Sequence, residues 1–456
     1  MSSLVTENDV FPWAEQVLNG KITSAVRQGG RESGGRPGWF VELQGKNGST
    51  RYYIRAHRGG DFGYIQEYDL QREVRILKLL KEENIPVPGI IASADTPNAA
   101  IMQFVEGVND FTEITDASER DAVARDFARV MAQWHAIPVE KFARIGLVVP
   151  GNAEELLEAD LSVWERGHFP LLLEPVPVVT FTCQWLRRNR PEMPERLVLV
   201  QGDTGPGQFL FKQGKVQAVV DWELAMLGDP MRELAHIRTR DVWYPTGNLP
   251  SWFRYYSEFS GVPLDLEKIR YYSVIGMLTT ALALGPVVQR LNPRDEHAEW
   301  IAQDIWSKKA TAEMLAEATG TELTKLQLPV AEPSYISSLF DALTDNLKEE
   351  QAPHIQDSFL HHRMQMTLRL VAHMRNIAEI GAEIAELELD DMRALLGSRP
   401  KSVKEGHRAM DKLVQQAGPD MDRALIQYFH RHAQREEALM RGGLGRAESA
   451  KASPII

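Results

Sequence analysis

The chain has almost no cysteine. Cys183 is the single one among 456 residues, so intramolecular disulfides and a Cys-based zinc site are excluded. That scarcity fits a reducing, cytoplasmic setting. Excess positive charge is also missing: 51 Lys and Arg face 63 Asp and Glu, a formal net charge of −12. This argues against nucleic acid or an anionic membrane surface as the main partner, while leaving room for a small basic pocket that takes phosphates. The first residues, MSSLVTENDVFPWAEQ, lack a basic stretch followed by an apolar core, so no signal peptide is expected there. Long apolar runs are scarce too. YYSVIGMLTTALALGPVV, 271–288, approaches spanning length without a charge, but its Ser, Thr, Gly and Pro content and charged flanks predict a buried helix, with a membrane span as the alternative. No internal repeat is present.

What is present divides the chain into three parts. Residues 1–106 read as a small β-rich region with one helix. GKITSAVRQGGRESGGRPGWFVELQ is a strand, a Gly-rich turn and a strand, and STRYYIRAH is a third strand by its aromatic and β-branched content. EYDLQREVRILKLLKEEN spaces Leu70, Val74, Leu77 and Leu80 for one face of a helix. IPVPGIIASAD and AAIMQFVEG are two more strands. Residues 107–329 turn helical, beginning with a long helix capped by Ser118 and stopped by Pro138. GTELTKLQLPVAEPS reads as a linker. Residues 330–456 form a further helical module, and the tail GGLGRAESAKASPII, small and polar, is expected to fray.

Two stretches carry the chemistry. LVLVQGDTGPGQFLF, 197–211, is an apolar run that ends in Gly-Asp before a turn-rich loop. VQAVVDWELAMLGDP, 216–230, repeats the event, with a β-branched run ending in Asp221. A β-rich lobe, a connector and a helical lobe with two acidic loops is the layout of a kinase. Phosphoryl transfer needs little covalent work from the protein: a cation on the phosphates, a carboxylate to orient the attacking hydroxyl and metal ligands. Asp203 stands where the orienting carboxylate should be and Asp221 where a metal-binding carboxylate should be. A hairpin between them brings both loops to the same end.

These motifs resemble the aminoglycoside/choline-kinase-like phosphotransferase family, and in particular the branch that includes kinase domains fused to some acyl-CoA dehydrogenases. The family's H-G-D-x-x-x-x-N loop is similar to QGDTGPGQ and its metal loop to DWELAMLGDP; LKEENIPVPGII, MQFVEG and MAQWHAIP are similar as well. The resemblance covers roughly residues 20–310, and 335–440 resembles a helical module sometimes found beside these kinases. It implies an α+β, bilobal, protein-kinase-like fold with a small β-rich N-lobe, a large helical C-lobe and extra C-terminal helices.

The resemblance also implies the roles. Asp203 is the catalytic base or orienter and Asp221 binds Mg²⁺. Arg55 takes the α/β-phosphates, with Glu73 as its helix partner. Gly29, Gly30, Gly34 and Gly35 cover the phosphates, and the backbone from Gln103 to Val105 receives the adenine. Gln201 replaces the family's His; it can both donate and accept, as that His does when it holds the loop. Gln208 replaces a metal-ligating Asn with the same oxygen type one methylene further out. The family places acceptor-pocket residues near Arg238, Arg240, Trp243 and Tyr244, which could equally be core and rim.

Other residues have plainer readings. Asp229 is expected to cap and brace its loop, and Cys183 to be a buried small residue. His354, His361, His362 and His373 are surface and core histidines, since adjacent helical positions cannot face one ligand. The expected activity is transfer of phosphate from ATP, with GTP left open, in the presence of Mg²⁺, to a hydroxyl of a small molecule. A hydroxyacyl-CoA or other catabolic intermediate is the expected acceptor class. The alternative is a catalytically weak nucleotide-binding or scaffold protein, motivated by Gln201 and Gln208. A homodimer through the C-terminal helices is a further expectation.

Overall fold

The computed structural model describes residues 5–28, 37–57, 69–291 and 296–456. These fall into two compact units. One comprises Met1–Val163, Pro191–Tyr272 and Ala452–Ile456; the other comprises Trp164–Arg190 and Ser273–Lys451.

The first unit opens with a helix, Glu7–Leu18, which the sequence reading left unassigned. Strands β1 (Gly20–Arg27), β2 (Gly38–Gly45), β3 (Gly48–Ala56), β4 (Ile90–Asp95) and β5 (Asn98–Gln103) then build an antiparallel sheet in the order β1-β2-β3-β5-β4. The alternation in β2 places Trp39, Val41 and Leu43 inward, and Val10 and Ala14 of the first helix close over Trp39, Val41, Ile54 and Ile101. Full burial of each large apolar side chain stabilises by about 1.5–3 kcal/mol. The helix Leu70–Glu82 starts at Asp69, whose carboxylate accepts from the Arg72 amide, and it buries Leu70, Val74, Leu77 and Leu80 as the periodicity requires.

Past the connector the long helix is Ala117–His135. Its cap is Asp116, which accepts from the Ser118 amide, and not Ser118 as expected; the aspartate two positions earlier has the extended backbone a cap needs. Four short strands carry the acidic loops. β6 (Val198–Val200) pairs with β9 (Met226–Gly228), and β7 (Phe209–Lys212) pairs with β8 (Lys215–Val219) through a turn in which Gln213 and Gly214 both have positive φ, at 53° and 72°. Beneath them lies an aromatic core: Phe127 lies tilted against Phe209 at 4.4 Å between ring centroids, and Trp134 meets Trp222 edge-on at 5.4 Å. This core seats the two loops on rigid strand ends.

The second unit is helical. Its longest element is Ser358–Leu396, followed by Val403–Gln416 and Asp422–Leu439. Residues 320–334 have no regular structure, as a linker should, yet Gln434 holds them: its oxygen accepts from the Leu326 amide and its nitrogen donates to the Thr324 carbonyl. The helix Leu266–Val288 is long and apolar enough to cross a membrane, but 72% of its apolar window is buried within the fold, as a core helix would be.

The tail does not fray. Leu444, Ala447 and Ile455 are buried, and residues 452–456 join the first unit, where the Ser453 carbonyl accepts from Arg238 Nε and its hydroxyl donates to Asp241. The expectation of fraying rested on polarity and overlooked the apolar residues that punctuate the segment.

Candidate active site

Arg55 is the centre of the site. It lies on β3, between Gly38 of β2 and Ala100 of β5 in the register of the sheet. Its Nη1 donates to Glu73 Oε1 at 3.1 Å, while its Nη2 donates to Asp221 Oδ1 at 2.8 Å and to Glu223 Oε2 at 2.7 Å. Burial alone would lower its pKa; the charges of Glu73, Asp221 and Glu223 outweigh that and hold it well above the usual arginine value. Glu73, 1% exposed, also accepts from the Trp222 amide at 3.2 Å, so one helix carboxylate fixes both the strand cation and the acidic loop. Such desolvated, charge-assisted bonds are about twice as strong as neutral ones.

Asp221 has φ 62°, a left-handed conformation that a non-glycine residue adopts at a cost of order 1–3 kcal/mol. Neighbouring contacts sustain it. Trp222 is fully buried, with its indole N–H on the Val219 carbonyl. The main chain at 221 is held by Gln201, whose Nε2 donates to the carbonyls of Val220 and Asp221 at 3.0 and 2.6 Å. The Oε1 of the same amide accepts from the Asp203 N–H at 2.8 Å. One glutamine side chain therefore laces the two acidic loops together, which is the holding role expected of it. Between them Gly202, at φ 93°, passes so close that a Cβ there would lie 2.5 Å from the Leu224 carbonyl oxygen.

Asp203 is reached by three side chains. Arg240 Nη1 donates to Oδ2 at 2.7 Å, the Gln208 amide nitrogen donates to the same oxygen, and His236 Nδ1 stands 3.8 Å from Oδ1. Arg240 also donates through Nε to the Pro206 carbonyl. Below this loop Glu233, fully buried, accepts from the Gln201 amide and the Thr204 hydroxyl. Burial raises its pKa from 4.5 to about 8; the bonds from Thr204 and Gln201 and the charge of Arg232 oppose that rise, and the Asp203 charge adds to it.

The remaining expected residues divide. Gln103 ends β5 with its N–H engaged by the Gly89 carbonyl at 2.8 Å, so of the two named backbone positions Val105 is the one outside the ladder. The segment that follows is pinned by Glu106, which accepts from Arg51 of β3 and Lys212 of β7. Asp229 caps the helix Pro230–Asp241 and pairs with Lys268 at 2.8 Å, as expected. Arg238 is buried on that helix and holds the tail at Ser453, whereas Arg240 of the same helix meets Asp203; Trp243 is half-buried beyond its end. Gly29, Gly30, Gly34 and Gly35 lie outside the described residues. Sequence reasoning missed Glu223 and Glu233. Glu223 carried a signal, standing two positions after Asp221 in the same motif, while Glu233 had none beyond its helical register.

Comparison with known proteins agrees with this geometry. Acyl-CoA dehydrogenase family member 11 of Rattus norvegicus is 26% identical over 252 residues, covering 53% of this chain and 31% of its own. Its Homo sapiens counterpart is 27% identical over 241 residues, covering 50% and 30%. A probable acyl-CoA dehydrogenase, IBR3, of Arabidopsis thaliana is 22% identical over 413 residues, covering 81% and 48%. The chain thus spans between about a third and a half of the length of these relatives. Among solved structures, a putative aminoglycoside phosphotransferase of Ralstonia eutropha superposes with a TM-score of 0.51 at 20% identity, over 70% of this chain and 99% of its own, a likeness of fold. The model of the phosphotransferase enzyme family, APH, matches residues 39–272. That match enters the sheet at β2, runs past both acidic loops and takes in just over half of the chain, and the protein belongs to the phosphotransferase enzyme family.

Proposed function

We propose that this chain is a kinase that moves the terminal phosphate of ATP to a hydroxyl of a small molecule, with Asp203 receiving that hydroxyl. The observation that carries the reading is the lacing of the Asp203 and Asp221 loops by the single amide of Gln201. Asp221, Glu223 and the Gln208 amide oxygen are hard oxygen donors of the kind Mg²⁺ takes, so this donor set fits the ion. Bound there, Mg²⁺ would neutralise charge on the phosphates.

The chain's own residues do the rest. Arg55, positioned by Glu73, presents a fixed cation to the phosphates. Arg240 and Gln208 clamp Oδ2 of Asp203, which leaves Oδ1 to accept the proton of the attacking hydroxyl and to orient its oxygen. Backbone near Val105 takes the purine, and GTP is admitted on the same grounds. The dehydrogenase relatives support a hydroxyacyl-CoA or similar catabolic intermediate as acceptor.

The clamp on Oδ2 also favours a second reading, a nucleotide-binding protein of weak catalysis, because two donors already occupy half of the carboxylate. Thermal shift with Mg²⁺ and ATP, then ATP consumption across a panel of alcohols and hydroxyacyl-CoAs, separates them. Turnover that disappears in Asp203→Ala supports the kinase; nucleotide binding without turnover on any acceptor supports the second reading.

A further inference from the structure

Three helices of the second unit point nitrogen and oxygen donors at one spot. Glu388 comes from Ser358–Leu396, His407 from Val403–Gln416 and His432 from Asp422–Leu439. One donor atom from each lies within 4.8 Å of the others. Nδ1 of His432 is 3.1 Å, and Nε2 of His407 is 3.9 Å, from the same oxygen, Oε1 of Glu388. Both ring nitrogens are buried and neither makes a hydrogen bond. Ligands on a tetrahedral ion with bonds near 2.0 Å stand ~3.3 Å apart, so the His432 pair at 3.1 Å is already near that spacing and the His407 donor at 3.9 Å has to move inward.

The surroundings set the protonation. The other nitrogen of His432, Nε2, faces Glu436 Oε2 at 3.5 Å, and that carboxylate oxygen has no hydrogen-bond partner. A proton on Nε2 satisfies Glu436 and leaves the Nδ1 lone pair aimed at Glu388, an arrangement that is repulsive unless a metal cation or a second ring proton sits between them. A carboxylate behind a ligating histidine is the usual way to fix that tautomer. Glu388 is itself oriented: Tyr428 donates to Oε1 at 2.6 Å and Arg435 to Oε2 at 2.7 Å, which leaves a lone pair of Oε1 for an ion. Beside the three donors opens a pocket of about 140 Å³, lined by His407, His432, Tyr428, Lys308, Glu436 and Glu174. Water or an anion entering there can supply a fourth ligand.

We propose that Glu388, His407 and His432 bind a divalent cation of the Zn²⁺ class, with Glu436 positioning His432 and the fourth coordination place open to the pocket. Two imidazoles and one carboxylate select Zn²⁺ or Co²⁺ over Mg²⁺. This donor set differs from that of the Asp221 corner, whose donors are all oxygen.

The test uses the full chain, stripped with chelator and titrated with Zn²⁺ in the presence of excess Mg²⁺. Expected are one tightly held equivalent of Zn²⁺ and, with Co²⁺, a visible absorption of low-symmetry nitrogen–oxygen coordination. His407→Ala and His432→Ala each abolish both signals, Glu436→Gln weakens Zn²⁺ binding ~10-fold or more, and Asp221→Ala leaves it unchanged. If His432→Ala does not fold, the more exposed His407→Asn is read instead. No stoichiometric binding, or binding that survives loss of His407, overturns the proposal and leaves His432 as an imidazolium bridging Glu388 and Glu436. Binding lost in Asp221→Ala overturns it as well.

Discussion

Gln201 stands where the similar motif has a histidine, and its amide holds both acidic loops. A histidine offers one donor and one acceptor in fixed directions, while the amide here donates twice and accepts from both Asp203 and Thr204. Gln201→Ala is expected to lower kcat by 10²-fold or more with a smaller change in nucleotide affinity, because ~1 Å of misplacement between the loops has that effect; steady-state kinetics checks this. Asp203→Asn should keep the fold and ATP binding while cutting turnover by roughly 10²–10⁴. Gly202→Ala combines a positive φ with a Cβ against the Leu224 carbonyl, so it should destabilise by roughly 1–3 kcal/mol in denaturant unfolding. At this scale the sequence was a good guide to identity and a poor one to contact. Arg55 meets Glu73 and Asp221, and Gln201 links the Asp221 carbonyl to the Asp203 N–H. The Gln208 amide nitrogen against Asp203, and Arg240 on the same oxygen, depend on rotamers that no spacing encodes.

At the scale of elements, the helix Pro230–Asp241 ties the machinery together. Its cap is Asp229, its first turns hold Glu233 under the Asp203 loop, and its last turns carry Arg238, Arg240 and Asp241. A carboxylic acid whose native pKa is raised to about 8 favours folding in its neutral form. That contribution is full below the unfolded value of 4.5 and is lost as the pH rises through 8. Melting temperature should therefore fall between about pH 5 and pH 8 in the parent chain and fall less in Glu233→Gln, which cannot ionise; equal slopes would remove Glu233 from the account. Helical periodicity made this element visible. It did not show which polar residues are buried, since eleven of its twelve residues pack inside and the apolar stripe no longer marks a face.

Across the whole molecule, the last residues return to the first unit. Ile455 is 3% exposed and Ser453 bridges Arg238 and Asp241. Deleting 452–456 should lower stability by about 2 kcal/mol, the burial of one large aliphatic side chain, measured by calorimetry on the truncated chain. Ile336, Leu339 and Leu343 of the helix Tyr335–Asp345 are exposed, which supports the proposed homodimer through the C-terminal helices; light scattering during size exclusion should give twice the mass of 51.5 kDa.

Sequence alone determined most of the succession of strands and helices after the first helix, the two acidic loops and the family likeness, because alternation, helical period and motif spacing are local patterns along the chain. Tertiary structure alone decided which groups meet. Arg55 and Asp221 are 166 positions apart, and Glu388, His407 and His432 stand on three separate helices; each encounter follows from packing and burial, which bring together residues that no local pattern links.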